Sequence, residues 1–423
     1  MSFDTAVSGL KASSINLGII GNNIANAGTT GYKAARGEFA DVFTTSLLGS
    51  SSDTAGKGVS VVGVNQSFSQ GNISFTDNVL DMAINGSGFF TLQDNNGTKV
   101  YSRAGNFQVD RSGNVVNPSG YKLMVFKTTD KGVVTGEMGQ LNIDTSLIQP
   151  QETGNVSLTA NLDSRAQVPL VAWPAGGFDA FATPPTSPDP DMFNSSTSAT
   201  IYDGLGNPHT QSFYFVKTAT SNQWDVNMLI DGVSVGSTNT VTFQNDGTLD
   251  PTTLPLQFSI TGWQPLDVNG AANGSAAIDI TVDMSDLTQF GNEFSVNSLD
   301  QDGYTTGQLR GVEVGDKGIM YARYTNGQAR ALGQIALANF SNLAGLQPLG
   351  STVWAETFAS GQPAISGPGS AGLGSVQSGA LEDSNVDVTQ QLVDMIVAQR
   401  NFQANAKVIQ TEDAISQTVM NMR

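Results

Sequence analysis

The chain has 423 residues, 39 % of them apolar and only 13 % charged, with 19 basic against 37 acidic side chains and a net charge of −18. This length and apolar content exclude a disordered chain and leave room for two or three globular units beyond any terminal helices. The acidic balance argues against nucleic acid or an anionic membrane surface as partner, and zero cysteines with one histidine exclude disulfides, thiolate metal sites and multi-histidine sites.

Residues 1–27 carry Phe3, Val7, Leu10, Ser14, Leu17, Gly21 and Ile24 at alternating spacings of four and three. That 3.5-residue period marks a narrow coiled-coil seam, which one helix in water leaves unsatisfied. The same stretch lacks the basic segment and continuous apolar core of a secretory signal peptide. No run of 18 apolar residues occurs anywhere, so no membrane insertion is expected. The helix is expected to stop near Ala27-Gly28, with Gly28 supplying the left-handed terminus. Asn22, Asn23 and Asn26 are poor helix-interior residues: either they fray the last turn, or their amides bond across a helix interface.

Residues 28–70 read as a polar connector with one extended run, 58–64. Residues 71–145 read as strands and hairpins, with Asp94-Asn95-Asn96-Gly97 and Asp110-Arg111-Ser112-Gly113-Asn114 as turns. The texture repeats over 146–285, where Asp203-Gly204-Leu205-Gly206-Asn207 precedes the alternating 212–216 and Asn245-Asp246-Gly247 makes another turn; 165–196 is a Pro- and Ser-rich irregular loop. Strand character returns over 286–358. Glycines at 361, 367, 369, 372, 374 and 379 make 359–380 look like an extended linker. Ser384-Asn385-Val386-Asp387 with Thr389-Gln390 offers caps for a last helix. Its stripe runs Val388, Leu392, Met395, Gln399, Phe402, Ala406, Ile409, then slips to Val408, Ile415, Val419 and Met422. Two such helices at opposite ends suggest a chain that folds back and buries both seams together.

Candidate chemistry fails on spacing. Lys57 lacks the Ser/Thr and the first Gly of a phosphate loop. A calcium loop aligned on Gly303 has Leu309 where the bidentate Glu belongs, so 300–303 reads as a hairpin turn. His209 follows Asn207-Pro208 in a turn and reads as structural or neutral, and Glu382-Asp383 reads as solvated surface. No enzyme activity and no cofactor are expected.

Ser8-Gly9-Leu10, Asn22-Asn23-Ile24-Ala25-Asn26 and Thr30-Gly31-Tyr32-Lys33 resemble the N-terminal signature of bacterial flagellar rod and hook axial proteins. Ser384-Asn385-Val386-Asp387 and Ile396-Val397-Ala398-Gln399-Arg400-Asn401-Phe402-Gln403-Ala404-Asn405-Ala406 resemble the C-terminal signature of the same family. The outer stretch 200–210, with Leu337-Ala338-Asn339-Phe340 and Val353-Trp354-Ala355, resembles the hook branch of that family; the alternative is a distal rod or other hook-associated member, which is shorter and lacks the outer insertion.

The resemblance implies an α+β fold in which the N- and C-terminal helices pair as an α-helical coiled coil, with nested mainly-β middle and outer domains. The expected division is 1–27 plus 381–423 for the helices, 28–70 plus 359–380 for the connector, 71–145 plus 286–358 for the middle domain, and 146–285 for the outer domain. It implies a structural subunit that polymerises helically with itself into a curved tube transmitting motor torque. Phe3, Val7, Leu10, Leu17, Ile24, Leu392, Met395, Phe402 and Ile409 are the expected assembly seam, and Asn22, Asn23, Asn26, Gly31, Tyr32, Lys33, Asn385, Gln399, Arg400 and Asn401 the family motif. Implied partners are the distal rod, the hook cap, the hook–filament junction proteins and the flagellar type III export apparatus. Implied location is the extracellular hook, reached without a cleaved signal peptide.

Overall fold

The computed structural model describes residues 2–42, 56–129, 131–315 and 317–421. Met422 and the side chain of Val419 lie outside the described residues. Helix α1 spans Ser2–Ala25 and helix α2 spans Val388–Asn421. Asp387 starts α2 by accepting from the backbone N–H groups of Thr389 (2.9 Å) and Gln390 (3.2 Å), two donors that the helix itself leaves unpaired. At the end of α1 the left-handed residue is Gly31, with φ +68°, and not Gly28 as its position suggests. A Cβ on Gly31 would lie 2.5 Å from the Ala104 nitrogen, so backbone conformation and close approach both require glycine there.

The chain divides into two units, 1–145 with 310–323 and 329–423, and 146–309 with 324–328. In the first, α1 and α2 pack on each other and α1 also packs on the hairpin Ala35–Asp41/Val59–Gln66. The β part of this unit is a large mixed-connectivity sheet whose core gathers Phe89, Tyr101, Phe340, Leu346 and Trp354, with Phe68 set edge-on to Phe89 and Trp354 at 5.5 Å. The Gly-rich stretch 359–380 is not a free linker. Ala364–Ser366 pairs with Leu337–Asn339, and Ser375–Ser378 pairs with Met82–Asn85. Its glycines allow turns and close strand contacts, a role that composition does not distinguish from flexibility.

The second unit holds two five-stranded sheets. Strand Pro208–Lys217 alternates exposed and buried positions, and its Phe213 and Phe215 enter a core shared with Val156, Leu158, Trp224 and Ile280. Strands Thr288–Phe290 and Ser295–Gln301 both pair with Asn155–Asp163. Residues 286–309 therefore belong with this unit and not with the middle stretch, since strand texture says nothing about which sheet a strand joins. The ribbon continues through the bridges Gln151–Tyr304 and Ile148–Gly307, so 300–303 is not a hairpin turn.

Tight turns recur in one chemical form. Asp94, Asp110, Asp203 and Asp267 each precede by three residues a glycine with φ between +80° and +89°. Each carboxylate accepts from the backbone N–H groups two and four residues on, at 2.7–3.0 Å. This self-bonding makes the turn a local property of Asp-x-x-Gly-x.

Candidate assembly helices and their anchoring joint

The expected seam is only partly enclosed within the chain. Phe3 and Leu392 are about half exposed (48 % and 49 %), while Val7, Leu10, Leu17, Ile24, Met395, Phe402 and Ile409 are partly buried. The well-buried helix positions are Ala6, Ala12, Ile20 and Asn23 on α1 and Ala398 on α2. Apart from Ile20, small and polar groups therefore make the close contact. Gly9 faces the Asn405 amide, which a Cβ would meet at 2.9 Å, and Asn23 donates to the Gln391 amide oxygen at 3.0 Å. The apolar stripes cannot both turn fully inward, because α1 also holds the hairpin. Ser8 Oγ accepts from the Val59 N–H at 3.2 Å, and Ile19 lies beside Gly37. On α2 this leaves Leu392, Val393, Ile396 and Val397 about half exposed.

Where the helices meet the β part, most of the family-motif residues converge. Asn23 uses its whole amide. It donates to the Ala35 carbonyl (2.8 Å) and to Gln391, and it accepts from the Ala35 N–H (2.9 Å) and the Tyr32 hydroxyl (3.2 Å). Asn26 instead bonds back to Asn22, at 2.9 Å to its carbonyl and 2.7 Å to its amide oxygen. The interface reading therefore holds for Asn23, and fraying is not seen: Asn22 and Asn26 close the last turn locally. Asn385 accepts from the Ala34 N–H (2.7 Å) and donates to the Ser67 and Ser69 carbonyls (2.8 and 3.2 Å). Gln399, Arg400 and Asn401 lie exposed on α2, Asn401 at the edge of the cavity that Asn23, Ala35 and Gln391 also line.

Behind it is a buried ionic node. Glu382 is fully buried and accepts from Lys33 Nζ at 2.6 Å and from Arg103 Nη1 at 3.1 Å. The Gly71 N–H donates to the same carboxylate at 3.0 Å, and Lys33 also donates to the Ser69 carbonyl at 2.7 Å. Arg103 Nη2 adds a 2.8 Å bond to the Gly86 carbonyl. Burial pulls the Lys33 pKa below its ordinary value, and Glu382 opposes that pull. The solvated-surface reading of Glu382 is thus corrected. Its strand Ala380–Glu382 pairs with Ile73–Phe75, a ladder formed by residues some 300 positions apart.

His209 takes the structural of the two roles expected for it. It is buried, with Nδ1 at 2.6 Å from Asp231 and Nε2 at 3.6 Å from Asp203, and the Trp263 ring stands edge-on at 5.0 Å. The bond to Asp231 raises its pKa against the opposing effect of burial. Burial alone would raise the Asp203 pKa, but bonds from Asn207 and Asn273 hold it below the usual range. A histidine pKa raised on folding adds stability that is complete below the free value of about 6.5 and is lost as pH climbs through the folded value. Thermal melts between pH 5 and 9 should therefore show the second unit losing stability on the alkaline side, and His209→Gln should flatten that slope. An equal slope in the variant would place the titration elsewhere.

Asp302 accepts from the Gly154 and Asn155 N–H groups at 2.9 Å, so its lone pairs are engaged within the fold. Among the described residues no helix is long and apolar enough to cross a membrane.

Comparison with known proteins bears on both ends and the middle. Residues 3–33 match the family "Flagella basal body rod protein", 83–160 "Flagellar hook protein FlgE/F/G D1 domain", 161–304 "Flagellar basal body protein FlaE D2 domain" and 377–422 "Flagellar basal body rod FlgEFG protein C-terminal". The chain is 37 % identical to the flagellar hook protein FlgE of Escherichia coli (strain K12) and 36 % identical to that of Salmonella typhimurium, each over 100 % of both chains. Its fold is similar to the crystal structure of Helicobacter pylori flagellar hook protein FlgE2, with a TM-score of 0.52, 14 % identity, and coverage of 73 % of this chain and 100 % of that one. Full-length identity at this level, with family matches at both termini and through the β units, shows that the chain belongs to the flagellar hook protein FlgE family.

Proposed function

We propose that the chain is a structural subunit that self-assembles helically into the flagellar hook, a curved, flexible tube that serves as a universal joint between motor and filament. The observation that carries this reading is the row of half-exposed aliphatic side chains Leu392, Val393, Ile396 and Val397 on a helix already anchored at its base. One chain leaves them uncovered, and covering the remaining half of each would contribute roughly 1 kcal/mol. Phe3, Val7, Leu10, Leu17, Ile24, Leu392, Met395, Phe402 and Ile409 then serve contacts between copies, with the paired helices acting as a coiled coil and the β domains nested around them. Gln399, Arg400 and Asn401, exposed on the same helix, are assigned to those contacts too. The partners that go with this role are the distal rod, the hook cap, the junction proteins and the type III export apparatus. The location that goes with it is outside the cell, reached by that export route.

Electron microscopy of the purified chain under polymerising conditions tests the proposal. Short curved tubes are the expected product. Monodisperse globules with a turnover activity would overturn it.

A further inference from the structure

The net charge is not shared between the two units. The second unit, 146–309 with 324–328, contains 17 Asp and Glu residues against two basic residues, Arg165 and Lys217. The first unit contains the other 20 acidic and 17 basic residues and is close to balanced. The two cations of the second unit do little for its surface. Arg165 is held by both oxygens of Asp163, at 2.9 and 3.0 Å. Lys217 is buried, with its ammonium 4.7 Å from the centre of the Trp224 ring. His209, when cationic, is enclosed between Asp203 and Asp231. Glu152, Asp286, Glu293 and Asp300 are exposed on the same unit.

We infer that the second unit is an electrostatic spacer between copies of this chain: its uncompensated negative surface opposes close approach of the same unit on another copy, so association of copies depends on ionic strength. The inference rests on the proposed self-assembly, whose attractive contacts are placed on the nearly balanced first unit. Like-charged surfaces repel over a screening length of about 10 Å at 0.1 M salt and about 30 Å at 0.01 M. At 0.1 M that length is shorter than a domain, so the interaction senses local charge and not the chain total. A surface held off in this way also slides without sticking, which suits a tube whose neighbouring subunits shift as it turns.

The test compares two four-site variants of the full chain with equal charge change. One carries Glu152→Gln, Asp286→Asn, Glu293→Gln and Asp300→Asn. The other carries Asp41→Asn, Asp77→Asn, Glu137→Gln and Glu313→Gln, all exposed on the first unit. The critical concentration for polymerisation is measured from 0.01 to 0.5 M NaCl, and light scattering at 0.1 M reports attraction or repulsion between unpolymerised chains. The second-unit variant should polymerise at a critical concentration about threefold lower than the unmodified chain at low salt, and the difference should vanish at high salt. Its light scattering should show weaker repulsion than the first-unit variant. Equal behaviour of the two variants in light scattering overturns the spacer. Failure of the unmodified chain to polymerise at any salt overturns the self-assembly reading instead, and light scattering then still decides whether the second unit repels.

Discussion

Glu382→Leu should be among the most damaging single substitutions in the first unit. It leaves Lys33 and Arg103 buried with no counter-charge, and removing one partner of a buried ion pair costs about 3–5 kcal/mol. For a unit of this size the melting temperature should fall by roughly 10 °C. The isosteric Glu382→Gln should also be costly, since it keeps the shape and loses the charge. The control is the triple variant Lys33→Met, Arg103→Leu, Glu382→Leu. Apolar replacement of a whole buried ionic group is often neutral, so most of the lost stability should return. What should not return is the bond from Lys33 to the Ser69 carbonyl or that from the Gly71 N–H to Glu382, and hydrogen exchange should show faster opening around 69–71. A melting temperature of Glu382→Leu within 1 °C of the unmodified chain would mean that the node does not bear on the fold.

The second large effect separates assembly from stability. Leu392→Asp and Ile396→Asp place a charge on half-exposed positions of α2, where the single chain should tolerate it within about 0.5 kcal/mol. In a polymer the same carboxylate would be desolvated without a partner, at a cost of several kcal/mol per contact. Both variants should therefore melt like the unmodified chain and form no tubes. Ala398→Asp behaves differently. Ala398 is 2 % exposed on the same helix, so the charge enters the contact between α1 and α2 and should loosen the helix pair in the unassembled chain. Circular dichroism and sedimentation of the three variants distinguish the two faces. Tubes from Leu392→Asp at unmodified concentrations would remove that face from the assembly contact.

These two faces also show where sequence reading ends. The seam drawn through Leu392, Met395 and Phe402 rests on period alone, and period identifies a stripe without identifying what covers it. Small residues such as Gly9 and Ala398, which periodicity analysis passes over, let the helices meet, because backbones approach closest where side chains are shortest. In the same way Asn23 is a poor helix residue by propensity and becomes fully bonded only because Ala35, Tyr32 and Gln391 are brought to it.

Local chemistry was determined by sequence: the two terminal helices, the Asp387 cap and the Asp-x-x-Gly turns follow from interactions within about four residues, so short motifs suffice to specify them. Tertiary structure alone decided that Glu382 is buried between Lys33 and Arg103, that 359–380 is tied down by the paired strands 364–366 and 375–378, and that 288–301 joins the strand at 155–163. Each of those outcomes depends on ladders or ion pairs between residues more than a hundred positions apart, except for the 337–339/364–366 pairing, which is closer but still non-local. Burial and sheet membership arise from such pairings, and no window of neighbouring residues contains them.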